Sequence, residues 1–118
     1  MTGNAGTVQA SALRALWKLR EFRSFEQRHF RSIRTLEERD LVWEIGYHHA
    51  RNAPLTLKQL TLLGTASLAT VQRRLRRLGR EGVIQHRRAE RDRRTVELVL
   101  TPEALQAFAR YASLLPHG

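Results

Sequence analysis

Between Ser67 and Leu100 the spacing of apolar residues changes once, and that change limits what the chain can fold into. Val71, Leu75 and Leu78 recur at three- and four-residue intervals, the period of a helix with one buried stripe. Gly82 follows as a residue suited to the left-handed turn that ends a helix. After it, Val83-Ile84-Gln85-His86-Arg87 reads as a strand and Ala89 to Arg93 as a turn. Thr95-Val96-Glu97-Leu98-Val99-Leu100 then alternates as the returning strand. A helix must therefore feed directly into a two-stranded hairpin.

The flanking segments read as helices with clear start signals. Val8 to Arg34 carries Leu13, Leu16, Trp17, Phe22, Phe25, Phe30 and Ile33 and reads as one long helix, with Met1 to Gly6 a frayed tail. Phe22, Phe25 and Phe30 are too many rings for so small a core, so this helix is expected to pack on a second chain or to wrap the domain. Thr35-Leu36-Glu37-Glu38 fits a capping box, in which the Thr hydroxyl accepts one backbone N–H and the Glu carboxylate accepts another. The helix it opens should turn Leu41, Val42 and Ile45 inward and end near Asn52, since Pro54 blocks continuation. Thr56-Leu57-Lys58-Gln59 repeats the box pattern for a short helix to about Leu63, and Gly64-Thr65 breaks the chain. Ser67 caps the striped helix, which leaves Ala69, Gln72, Arg73, Arg76, Arg77 and Arg80 outside. Thr101-Pro102-Glu103 opens a last helix to about Leu115, with Leu105, Phe108, Ala109 and Ala112 on one face.

The expected fold is mainly α, about five helices with a small β-hairpin wing: a winged helix-turn-helix. Residues 1–34 form a tail and long helix, 35–101 the winged core, and 102–118 a C-terminal helix. The 118 residues suffice for one domain with one core. Charge then points to a partner. Lys+Arg number 21 against 11 Asp+Glu, a net charge of +10. Ten arginines and three acids fall between Gly64 and Arg94, so that quarter holds 10 − 3 = +7 and the remainder +3. Arginine forks onto phosphates and guanine edges, and a surface for a polyanion is the expected meaning of this cluster.

An α-helix fits the DNA major groove, and its N-terminus, here Ser67, Ala69 and Thr70, presents unpaired N–H groups to a phosphate. Gln72 and Arg73 sit one turn inside, where Gln matches adenine and Arg matches guanine. Arg76, Arg77 and Arg80 are expected at phosphates. Arg91, Arg93 and Arg94 at the hairpin tip are placed for the adjacent minor groove, where narrow A·T tracts concentrate negative potential.

The order Leu55-Thr56-Leu57-Lys58-Gln59-Leu60, Ser67 through Arg73, Leu78 through Ile84, Asp92-Arg93-Arg94 and Leu100-Thr101 resembles the MarR-type transcriptional regulators. The resemblance covers about Leu55 to Thr101, and Asp92-Arg93-Arg94 followed by Leu-Thr is its most specific part. It implies that Asp92 orients Arg94 for the minor groove. It also implies a homodimer on a pseudo-palindromic operator, with the first and last helices as the seam. Gly64 and Ala104 depart from the pattern, and the sequence to Gly118 supplies no sixth helix of the kind that completes the dimer in larger relatives. A reduced seam is therefore expected, built from Leu13, Leu16, Trp17, Phe22, Phe25, Phe30, Leu105, Phe108 and Tyr111.

Other chemistry is sparse. Cysteine is absent, which excludes disulfides, zinc ribbons and thiol catalysis. The histidines are 29, 48, 49, 86 and 117; His48 and His49 point about 100° apart on a helix and cannot share an ion. Glu44 and His48 share a face but lack a third ligand, so no metal and no cofactor is expected. Serines 11, 24, 32, 67 and 113 lie in helical or capping contexts, no Gly-rich phosphate loop occurs, and an enzyme is not expected. No apolar run approaches the roughly 20 residues of a bilayer span, and the start lacks a secretory pattern, so a cytoplasmic protein is expected. Trp17, Trp43, Tyr47 and His48 are candidates to line a site for a small aromatic effector, against the plainer reading as core aromatics. Two other functions use the same arginine surface: a winged-helix protein-interaction module gripping an acidic partner, and an RNA-binding accessory protein. The basic region offers no exposed aromatic on which RNA bases would stack.

Overall fold

A computed structural model describes Thr2–Ser113, so His117 and the expected helix end near Leu115 lie outside the described residues. The chain divides between Arg31 and Ser32 into two compact units. The first holds one helix, α1 (Thr2–His29). It begins at Thr2, without the expected frayed tail through Gly6, because Gly3 and Gly6 lower helix propensity without removing a backbone donor. It also ends five residues before Arg34. The Phe30 N–H closes the last backbone bond on Glu26 C=O at 2.7 Å, and Arg31 Nε donates to the Gln27 carbonyl at 3.2 Å. Leu13, Leu16, Trp17 and Leu19 are exposed along this helix. Phe25 and Phe30 are buried, their rings meeting edge to face at 5.8 Å.

The second unit runs α2 (Leu36–Ala50), β1 (Leu55–Thr56), α3 (Leu57–Leu63), α4 (Leu68–Arg80), β2 (Ile84–Arg88), β3 (Val96–Leu100) and α5 (Pro102–Ala112). The strands form one antiparallel sheet in the order β1-β3-β2, with Ile84 opposite Leu100 and Arg88 opposite Val96. Strand β1 is an addition to the expected hairpin: Leu55 pairs with Leu98 and Thr56 with Glu97. Two residues are too few to show alternation, so nothing in the sequence marks it. Val42 and Ile45 of α2, Leu60 of α3, Val71, Leu75 and Leu78 of α4, and Leu98 to Leu100 of β3 make the core. Gly46 lets α2 approach β3, since a Cβ there would stand 2.9 Å from Leu100 Cδ1.

The helix starts follow the chain's own polar signals. Thr56 and Gln59 complete a capping box, with the Thr56 N–H on Gln59 Oε1 at 2.9 Å and the Gln59 N–H on Thr56 Oγ1 at 3.2 Å. Helix α4 ends in paired reverse bonds, Val83 N–H to Leu78 C=O and Gly82 N–H to Gly79 C=O, with Gly82 at φ +76°. The Thr101 hydroxyl donates to Gly82 C=O at 2.7 Å and accepts the Ala104 N–H at 3.2 Å, joining the end of α4 to the start of α5. This linkage sets the phase of α5. Ala104 and Ala107 face inward, while Leu105, Ala109 and Ala112 are exposed.

Glu38 carries a second device. Its N–H donates to Thr35 Oγ1 at 3.1 Å as the box requires, and its carboxylate also accepts the Arg34 N–H at 2.9 Å. Arg77 of α4 also donates to this carboxylate, through Nε and, at 2.6 Å, through Nη2. The same Nη2 reaches the Ser32 carbonyl. Glu38 is only 4% exposed. The Arg77 hydrogen bonds hold its pKa below the ordinary carboxylate value, against the opposing effect of burial. Arg77 was expected on the outside of α4; it is half-buried and committed to Glu38. At about 100° per residue, Arg77 lies about 120° from Val71, whereas Arg73, Arg76 and Arg80 lie between about 140° and 180° away.

Glu38→Gln should lower the unfolding free energy by about 3 kcal/mol, because it leaves a guanidinium largely out of water without its counter-charge. Adding Arg77→Met should recover part of that loss in denaturant titrations; a double variant as unstable as the single one would contradict an ionic pair.

His49 should make stability fall in acid. Its Nδ1 accepts the Leu100 N–H at 3.2 Å, on the edge of β3 that two-residue β1 leaves uncovered. Burial, and then Arg87, hold its pKa below 6.5, with Glu97 opposing. The unfolded chain thus takes up this proton at a higher pH than the folded one, so stability rises with pH through that window and levels off above about 6.5. His49→Gln should flatten the decline between about pH 6.5 and 5 in thermal melts; an unchanged decline would contradict it.

Candidate nucleic-acid interface

The outward face of α4 is a row of one small residue and three arginines. Ser67 caps the helix, its Oγ accepting the Thr70 N–H at 3.2 Å while its hydroxyl donates to Thr70 Oγ1 at 3.0 Å. Both hydroxyls are thus spent on forming the helix end, which holds the first N–H groups in a fixed direction. Ala69, Arg73, Arg76 and Arg80 are exposed behind that end, and Gln72 is half-buried on the flank. Ala69 adds only a methyl group, so backbone and the Arg73 side chain dominate the surface behind the helix end. Leu68, absent from the expected site, is 49% exposed at the first helical position. No role for it follows from the sequence, and only its place beside the Ser67 cap could have singled it out.

The wing is organised by one carboxylate. Asp92 Oδ1 accepts the Arg94 N–H at 3.1 Å and lies 3.4 Å from Arg94 Nε. Asp92 Oδ2 accepts the Thr95 hydroxyl at 3.3 Å, and Asp92 C=O accepts the Thr95 N–H at 2.9 Å. The Arg94 side chain is nevertheless 94% exposed. Its guanidinium therefore touches Asp92 while most of it stays open to solvent. Arg91 and Arg93 are exposed at the same tip and make no side-chain bond among the described residues. Arg88 of β2 donates through Nη1 to the Arg93 carbonyl at 2.8 Å. Arg87 and Arg88 entered the sequence reading only as charge; the strand exposes both.

Of the expected arginines, Arg73, Arg76, Arg80, Arg91, Arg93 and Arg94 are solvent-facing, and Arg77 alone among them turns to an internal carboxylate. The aromatic candidates are not core residues. Trp17, Trp43 and Tyr47 are exposed, with the Arg39 and Arg51 guanidinium carbons 5.4 and 5.2 Å from the Trp43 and Tyr47 ring centres. Trp43 borders a cleft of about 350 Å³ with Asp40, Leu41, Glu44, Leu60, Leu63 and Gly64. Tyr47 and His48 instead meet edge-on at 5.3 Å. His48 Nε2 lies 3.6 Å from Glu44, and no three metal-ligating side chains gather among the described residues. Among those residues no helix is long and apolar enough to cross a membrane.

No protein-family model matches the chain, and no curated protein sequence does. Solved structures do match it. The S. aureus MepR–DNA complex superposes with a TM-score of 0.60 at 18% identity, covering 87% of this chain and 82% of MepR. Streptococcus pneumoniae FabT in complex with DNA gives 0.56 at 24%, covering 92% and 74%. The apo form of E. coli MarR gives 0.53 at 19%, covering 83% and 76%. Helix order, the three-stranded antiparallel sheet and the hairpin wing agree throughout, and the chain has the winged-helix fold of the MarR-type regulators.

Proposed function

We propose that this protein binds double-stranded DNA sequence-specifically and regulates transcription by occupying an operator as a homodimer. One observation carries the reading: an exposed Ala69–Arg73–Arg76–Arg80 row on α4 accompanies a wing arginine that Asp92 holds extended. In this reading Ser67, Ala69 and Thr70 bring the helix end to the duplex. Gln72 and Arg73 read base edges, and Arg76 and Arg80 meet phosphates. Arg94 enters the minor groove with Asp92 behind it, and Arg91 and Arg93 flank it at the backbone. The DNA complexes of MepR and FabT, which share the fold, support this use of it.

Dimerisation rests on the apolar surface. Leu13, Leu16 and Trp17 on α1 and Leu105 on α5 are exposed, and Phe22, Phe108 and Tyr111 are half-buried. A second copy covering them is the proposed seam. The interaction-module and RNA readings remain rivals for the same arginines, and competition by heparin or by RNA as strong as that by duplex would favour one or the other.

Duplex affinity measured against salt should follow a steep log–log line. Arg76, Arg80, Arg91 and Arg93 from two protomers correspond to about eight phosphates and a slope of about −7; a flat line would remove the electrostatic basis. Arg73→Ala should cost about 1–3 kcal/mol and relax preference at one base pair, whereas Arg80→Ala should weaken every sequence alike. Uniform loss in both variants would show that Arg73 does not read a base.

A further inference from the structure

The bonds inside the wing tip and the bonds that tie the tip to the sheet differ in consequence. Asp92, Arg94 and Thr95 are bonded to one another across two or three residues. Such local contacts define the shape of the turn but leave its direction relative to the strands open. Two bonds cross from β2 to the far side of the tip. One is a backbone bond, Ala89 N–H to Thr95 C=O at 2.9 Å, which extends the ladder by one step. The other is the Arg88 Nη1 bond to the Arg93 carbonyl at 2.8 Å. Both strands carry the chain into the tip, and the Arg88 bond adds a side-chain attachment two residues beyond the last backbone bond of the ladder, which restricts how the tip can tilt.

Resting on the wing reading above, we propose that Arg88 is a positioning residue that sets the groove geometry Arg94 accepts. By holding the peptide carbonyl immediately before Arg94, the Arg88 guanidinium fixes the direction in which the Arg94 side chain leaves the sheet. A cation gains from a narrow A·T minor groove only when it is delivered along that groove, where the potential is concentrated. Without the clamp, Arg94 still meets phosphates, so affinity persists while the preference for A·T declines. An exposed Arg–carbonyl bond adds little to folding stability, because both groups are well solvated when it is absent. Its effect belongs to orientation.

The test uses the full chain and two duplexes that differ in an A·T or a G·C run at the flank where Arg94→Ala loses hydroxyl-radical protection. Affinities are measured over a range of salt, with thermal melts alongside. Arg88→Gln should lower the A·T-to-G·C affinity ratio about threefold or more, with the salt slope and melting temperature unchanged. Arg94→Ala should lower the same ratio. If Arg88→Gln keeps the ratio while the slope becomes shallower by about 0.9, Arg88 is a phosphate contact and the proposal is overturned, although the wing reading survives through Arg94→Ala. A lower melting temperature with equal loss on both duplexes would also overturn it, as a merely structural role. If Arg94→Ala leaves the ratio unchanged, the wing reading and this proposal fail together.

Discussion

A carboxylate with 4% of its surface exposed must find charge and hydrogen-bond partners within the fold, and Glu38 finds them on the approach to α2 and on α4. Its oxygens take the Arg34 N–H at the approach to α2 and the guanidinium of Arg77 near the end of α4, and that guanidinium holds Ser32 C=O in turn. Helix α4 is thereby tied at its C-terminal half to the start of α2, while Val71, Leu75 and Leu78 hold it to the core from below. On the proposed function, α4 must keep its angle when one end meets a charged duplex. Apolar packing resists separation but tolerates sliding, whereas a forked Arg–carboxylate bond also opposes rotation.

The arginines sort by what restrains them. Arg77 is internal, Arg88 is bonded across the wing, Arg94 is aimed by Asp92, and Arg73, Arg76, Arg80, Arg91 and Arg93 are solvent-facing. Net charge treats them alike and geometry does not. Groups free to follow phosphates supply affinity with little sequence information, and groups held in one direction can distinguish one groove from another. The chain places restrained arginines on the wing and solvent-facing ones on both the wing and α4, so both kinds occur in the second unit.

Most of the second unit was legible in the sequence because its signals are local. Thr56, Ser67 and Thr101 cap helices where their residue types demand, Gly82 takes the positive φ its position requires, and the Val71–Leu75–Leu78 stripe is buried as its spacing implies. What escaped depends on contacts between distant residues. Glu38 looked like half of a capping box, and only its proximity to Arg77, 39 positions later, turns it into the anchor of α4. Strand β1 exists because β3 offers it an edge, and the start of α1 at Thr2 lies where two glycines weakened the helical pattern. In the candidate interface, the Asp92–Arg94 pair was readable from a motif, whereas the Arg88 bond across the wing needed the folded hairpin and the exposure of Leu68 needed the position of the helix end.

The central claim, that this surface recognises a particular duplex, is tested most directly by selecting bound sequences from a random pool of double-stranded DNA with the full chain. The account predicts an enriched site of two related half-sites in inverted orientation, as a symmetric dimer requires. A bound pool indistinguishable from the starting pool would contradict it.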